Sequence, residues 1–74
     1  MLLTHQDKIV LIKQEIKNAE AEQYILERRA RIAHKVGSKD RAQQFEDALL
    51  IVVETLEELE KELKTLEGES NEPQ

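Results

Sequence analysis

Few side chains in this sequence could do chemistry. His5 and His34 are its two histidines, it has no cysteine, and acids crowd one stretch at Glu57, Glu58, Glu60 and Glu62. Histidine and carboxylate groups hold metals or move protons when their spacing gathers them on one side of a helix. A helical zinc site would need His-x-x-x-His, and a di-iron bundle would need Glu-x-x-His. Leu2 and Arg31 stand three residues before the two histidines, so neither pattern is present. No Gly-rich phosphate loop and no nucleophile motif occurs. The glutamates read as a solvated helix face. The chain is expected to be no enzyme, with no catalytic residue, metal, cofactor or small-molecule substrate.

The other concentration of charge is basic. Residues 27–41, "ERRARIAHKVGSKDR", carry six Lys and Arg against two acids, a local +4; residues 54–72 carry eight acids against Lys61 and Lys64, a local −6. Arg28, Arg29, Arg31, Lys35, Lys39 and Arg41 are the candidates for contact with a polyanion such as RNA, DNA or an acidic protein surface. Three facts count against a nucleic-acid site. Arg28, Arg29 and Arg31 span nearly a full helical turn and form no narrow stripe. The two aromatics, Tyr24 and Phe45, make no base-stacking platform. The net charge is −5, which disfavours general nucleic-acid binding.

The fragment "ILERRARIAHKVGSK" resembles the end of the first helix in the all-helical chorismate mutases, which carry Arg and Lys in a similar setting. Arg28 and Lys39 are the positions the likeness picks out. It covers 15 residues, its spacing is off by one, and the chain lacks the further helix that completes that active site, so it implies no activity here.

The elements that hold these charges are helical. Glu, Lys, Leu, Ala, Gln and Arg dominate, a helix-forming composition. Thr4 is placed as an N-cap, with Asp7 three residues on in a capping-box position. Helical periodicity then continues to Val36. Gly37 suits a C′ residue of positive φ, and Ser38 can cap the next helix, whose first turn holds Asp40. The reading is a helix over 4–36, a turn at 37–38, and a second helix over 39–67. Gly68 is expected to end that helix, with an acidic tail at 68–74 disordered.

In the second helix Ala42, Phe45, Leu49, Val52, Leu56, Leu59, Leu63 and Leu66 alternate between heptad positions a and d. In the first, Ile9, Ile12, Ile16, Ala19, Gln23, Leu26, Ala30 and Ala33 have the same spacing. If the chain folds back at Gly37, Ile9 faces Leu66, Ile12 faces Leu63, and so on to Ala33 and Ala42. The residue numbers of every facing pair add to one constant, as an antiparallel hairpin requires. Ala19 then meets Leu56 and Ala30 meets Phe45, small against large. Lys13 is expected near Glu60, a favourable pairing, whereas Glu15 near Glu62 and Glu27 near Glu46 are not. Gln23 is the one polar seam position, of the kind that fixes register at a cost in stability.

The run "ALLIVV", Ala48 to Val53, exceeds what that seam needs. The seam takes Leu49 and Val52. Leu50, Ile51 and Val53 point elsewhere, as do Tyr24, Ile25 and Ile32, together with Val10 and Leu11, on the first helix. Such a patch is rare on a soluble monomer. A chain of 74 residues with no disulfide also needs very good packing or a partner. The fold class expected is therefore all-α: an antiparallel two-helix hairpin, a helical coiled-coil hairpin that dimerises into a four-helix bundle. Tyr24, Ile25, Ile32, Leu50, Ile51 and Val53 form its interface. Opposite charges at the two ends favour an antiparallel dimer. In architecture this is similar to the plasmid-encoded Rop-type hairpin dimers, which bind RNA; no motif carries the likeness further.

The N-terminus has no signal-peptide pattern and no apolar run approaches a membrane span, so no membrane partner and a cytoplasmic location are expected. The function that follows is that of a small acidic, non-catalytic protein-interaction module. It would be a regulatory, adaptor or assembly protein of bacterial or phage type. The alternative is an RNA- or DNA-binding hairpin that uses its basic turn end.

Overall fold

The computed structural model describes residues 2–70. They form two helices, α1 (His5–Lys35) and α2 (Lys39–Ser70), which pack antiparallel, and no strand occurs among the described residues. The molecule measures 59 × 21 × 15 Å, two helices wide and one helix deep.

The start of α1 is a complete capping box. Thr4 Oγ1 accepts the Asp7 N–H at 3.0 Å, and Asp7 Oδ2 accepts the Thr4 N–H at 3.2 Å. Its end is a Schellman motif. The Ser38 N–H donates to the Ala33 carbonyl at 2.9 Å and the Gly37 N–H to the His34 carbonyl at 3.1 Å. Gly37 has φ +78°, the left-handed conformation that the turn demands. One residue later the Ser38 carbonyl accepts the first bond of α2, from Ala42 at 3.0 Å. The reversal therefore takes two residues beyond α1's own cap, and it fixes the register of the whole hairpin.

That register is the one the heptads imply. All sixteen seam positions are buried or half-buried, and outside the seam only His5, Ser38, Ala48, Val53 and Glu67 share that status among the described side chains. Ala19, Leu26, Val52 and Leu56 form the central cluster, with Ile16, Phe45, Leu49 and Leu59 packed against it. Gln23 lies half-buried within the same seam.

Lys13 does not meet Glu60. Its Nζ lies 3.8 Å from Glu67, one heptad further on, and His34 Nε2 lies 3.3 Å from Glu46. Side chains on a helix lean toward its N-terminus. In an antiparallel pair the two partners therefore lean past each other, and they meet when both stand beyond the residue directly opposite. Both cross-helix contacts show the same displacement.

The end of α2 departs from expectation. The helix continues through Gly68 to Ser70, three residues past Glu67, while residues 71–74 of the expected tail lie outside the described residues. Glycine loses about 1 kcal/mol against alanine in a helix but does not forbid it. Here the last turn is held from α1, where His5 Nε2 lies 2.7 Å from the Leu66 carbonyl and His5 Nδ1 lies 3.9 Å from Glu69.

The two glycines should consequently respond to alanine with opposite sign. A Cβ at either meets no atom within 4 Å, so only backbone conformation matters. Gly37→Ala should destabilise the hairpin by about 1–2 kcal/mol through the left-handed φ. Gly68→Ala should stabilise it by up to about 1 kcal/mol, less for fraying. Thermal melts of both variants check this; a loss at Gly68 would mean that the helix stops there.

Candidate interaction surface

Among the described residues no large side chain is fully enclosed, and of the core residues Ala42 alone reaches 0% exposure. Two cylinders touch along a line, so Leu26 and Leu56 are buried while Leu49, Leu59, Leu63 and Leu66 keep one flank open. Beyond the seam, Tyr24 (62%), Ile25 (41%), Ile32 (50%), Leu50 (63%) and Ile51 (66%) are exposed, and Val53 is half-buried. Val10, Leu11 and Val36 are exposed as well. The hairpin therefore carries open apolar surface at mid-height on both helices, where "ALLIVV" stands.

That surface is divided between two broad faces that differ. With Ile9 and Ala42 at a, positions g and c fall on one side of the seam and e and b on the other. An antiparallel pair sets e against e and g against g. The e side is bridged at both ends, since Lys13, Glu67, His34 and Glu46 all occupy e positions and form the two cross-helix pairs. This side also carries Tyr24, Leu50 and Val53, with the Arg28 guanidinium 5.7 Å from the centre of the Tyr24 ring, a cation–π contact.

The g side is not bridged but grooved. Near the turn an open groove of about 260 Å³ is lined by Arg29, Ile32, Ala33, Val36, Arg41 and Phe45. Near the open end a second, of about 410 Å³, is lined by Lys8, Leu11, Ile12, Glu15, Glu62 and Leu66. Ile25, Ala48 and Ile51 occupy g and c positions between them. The expected neighbourhood of Glu15 and Glu62 is thus present, at the rim of the second groove.

All six basic candidates at the turn end, Arg28, Arg29, Arg31, Lys35, Lys39 and Arg41, are exposed. None lies within 4.0 Å of an acidic group, counting the described residues. They encircle the tip instead of lining one side of it. Among the described residues no three His, Asp or Glu groups gather as a metal site would need, and no helix is long and apolar enough to cross a membrane.

The fold and this surface define a helical hairpin with two unlike apolar faces. No protein-family model matches the sequence, and no curated protein or solved structure is significantly similar to it. The sequence candidates omit Val36 and the groove-lining role of Leu11 and Phe45. The signal for them lies in the heptad, since Leu11 stands at c, Val36 at g, and Phe45 at a seam position next to the g position Arg41.

Proposed function

We propose that this hairpin is a non-catalytic protein-interaction module that works through helix–helix contacts and associates with itself into a four-helix bundle. One observation carries the reading: Tyr24, Ile25, Leu50 and Ile51, all large and apolar, stand exposed together at mid-height. Water is a poor environment for such a belt, and a second layer of helices on one face is the packing that would remove that face's share of it. The half-open Leu49, Leu59, Leu63 and Leu66 add to the same demand. Folding coupled to association makes stability depend on concentration. The melting temperature should rise by several degrees between about 5 and about 500 μM protein; a constant value would count against self-association.

A second reading has its own support in the six exposed cations without acidic partners. In it the turn end meets RNA or DNA. Filter binding against mixed RNA and duplex DNA tests it. Binding that falls steeply with salt and is lost in Arg28→Ala/Arg31→Ala would establish a nucleic-acid site, and absence of such binding would remove the reading.

A further inference from the structure

We infer that the hairpin pairs with a second copy of itself through its g face alone, with the two copies antiparallel. The inference rests on the self-association proposed above and assigns its face and orientation.

The two grooves differ in rim charge: Arg29 and Arg41 stand beside the turn-end groove, and Glu15 and Glu62, against the single base Lys8, beside the open-end groove. Within one chain the arginines stand together without an acid, and the acids outnumber the base. Arg29 and Arg41 have no acidic group within 4.0 Å among the described residues, and Glu15 and Glu62 have no basic one. Between two chains the clusters are complementary. The e face lacks this segregation, because at each end it already joins a base to an acid, His34 to Glu46 and Lys13 to Glu67. Its exposed aromatic, Tyr24, is partly covered by Arg28.

Symmetry then fixes which residues meet. An antiparallel pair of stacked hairpins has its two-fold axis across the helices, so α1 lies on α1 of the second copy and α2 on α2. Leu11 stands about as far below mid-height as Ile32 stands above it. Leu11 of one copy therefore comes level with Ile32 of the other, each beside the apolar groove that holds the other's neighbours. Arg29 comes level with Glu15 of the second copy, and Arg41 comes within about one helical turn of Glu62, a gap that two long side chains can span. Ile51 falls within one turn of the two-fold axis, beside its own counterpart. A parallel pair would instead stack α1 on α2 and bring four arginines together at one end. The antiparallel pair leaves the e-face residues Tyr24 and Leu50 in solvent, with Val53 half-buried on the same side, and scattered exposed apolar residues are ordinary.

Neighbouring residues of equal exposure supply the test. Leu50 and Ile51 are 63% and 66% exposed but stand on opposite faces. Sedimentation equilibrium of the full chain should show Ile51→Glu raising the dimer dissociation constant about a hundredfold or more, by setting two carboxylates together at the axis. Leu50→Glu should change it less than about threefold. Arg41→Glu should weaken the dimer about three- to tenfold, and Arg41→Glu/Glu62→Arg in one chain should restore it. In a parallel pair Arg41→Glu would tighten the dimer instead. Leu50→Glu acting as strongly as Ile51→Glu, or Arg41→Glu tightening association, would overturn the assigned face or orientation while leaving self-association intact. A monomeric parent chain would overturn both.

Discussion

Leu56→Ala should destabilise the hairpin by about 2–5 kcal/mol in urea unfolding at fixed protein concentration. Leu56 is 8% exposed and lies in the central cluster with Ala19, Leu26 and Val52. It fills the layer where α1 contributes only the methyl group of Ala19, so its truncation leaves a cavity in the seam. Leu50→Ala is the matched control, with the same side chain on the same helix at 63% exposure. On the single hairpin its effect should stay within about 0.5 kcal/mol. Equal effects at the two positions would mean that the seam is not the core.

Ala42→Leu should cost about 1–3 kcal/mol for the opposite reason, overpacking. Ala42 is 0% exposed and Ala33 is 4% exposed. With Ala30 they let the helices approach closely just beyond the turn, and the two-residue reversal at Gly37 leaves the chain no slack to widen that gap. Ala21→Leu, on an exposed position of α1, adds the same atoms where nothing stands and should leave stability unchanged within about 0.5 kcal/mol. Thermal and urea unfolding of both variants measures the contrast. An unaffected Ala42→Leu would show that the helices separate freely at the turn end.

The seam was legible because two independent patterns agree. The heptads of α1 and α2 are in phase, and the turn residues Gly37 and Ser38 set the one offset at which Ile9 meets Leu66 and Ala33 meets Ala42. The capping box at Thr4 and Asp7 was legible for a similar reason, since its chemistry is local. Three features were not. Lys13 reaches Glu67 instead of Glu60 because the lean of a side chain along its helix does not show in a table of opposite residues. Gly68 was read as a stop because its propensity is poor, whereas His5, 61 positions away, holds the last turn. The candidate interface, Tyr24, Ile25, Ile32, Leu50, Ile51 and Val53, was read as one patch. Its division into a bridged face and a grooved face depends on which flanking pairs form, and that required the packed helices. At the basic tip, Arg28 lies against Tyr24, a contact that the spacing of the arginines alone does not show.

The central claim is that the g-face half of the exposed belt, with Ile25 and Ile51, is covered by a second copy of the chain, and sedimentation equilibrium of the unmodified protein at tens of micromolar tests it most directly. The expected result is a single species of twice the 8.6 kDa chain mass. Association should weaken only modestly in high salt, because the rim charges are screened while the apolar centre is not. A stable, fully helical species at 8.6 kDa would contradict it.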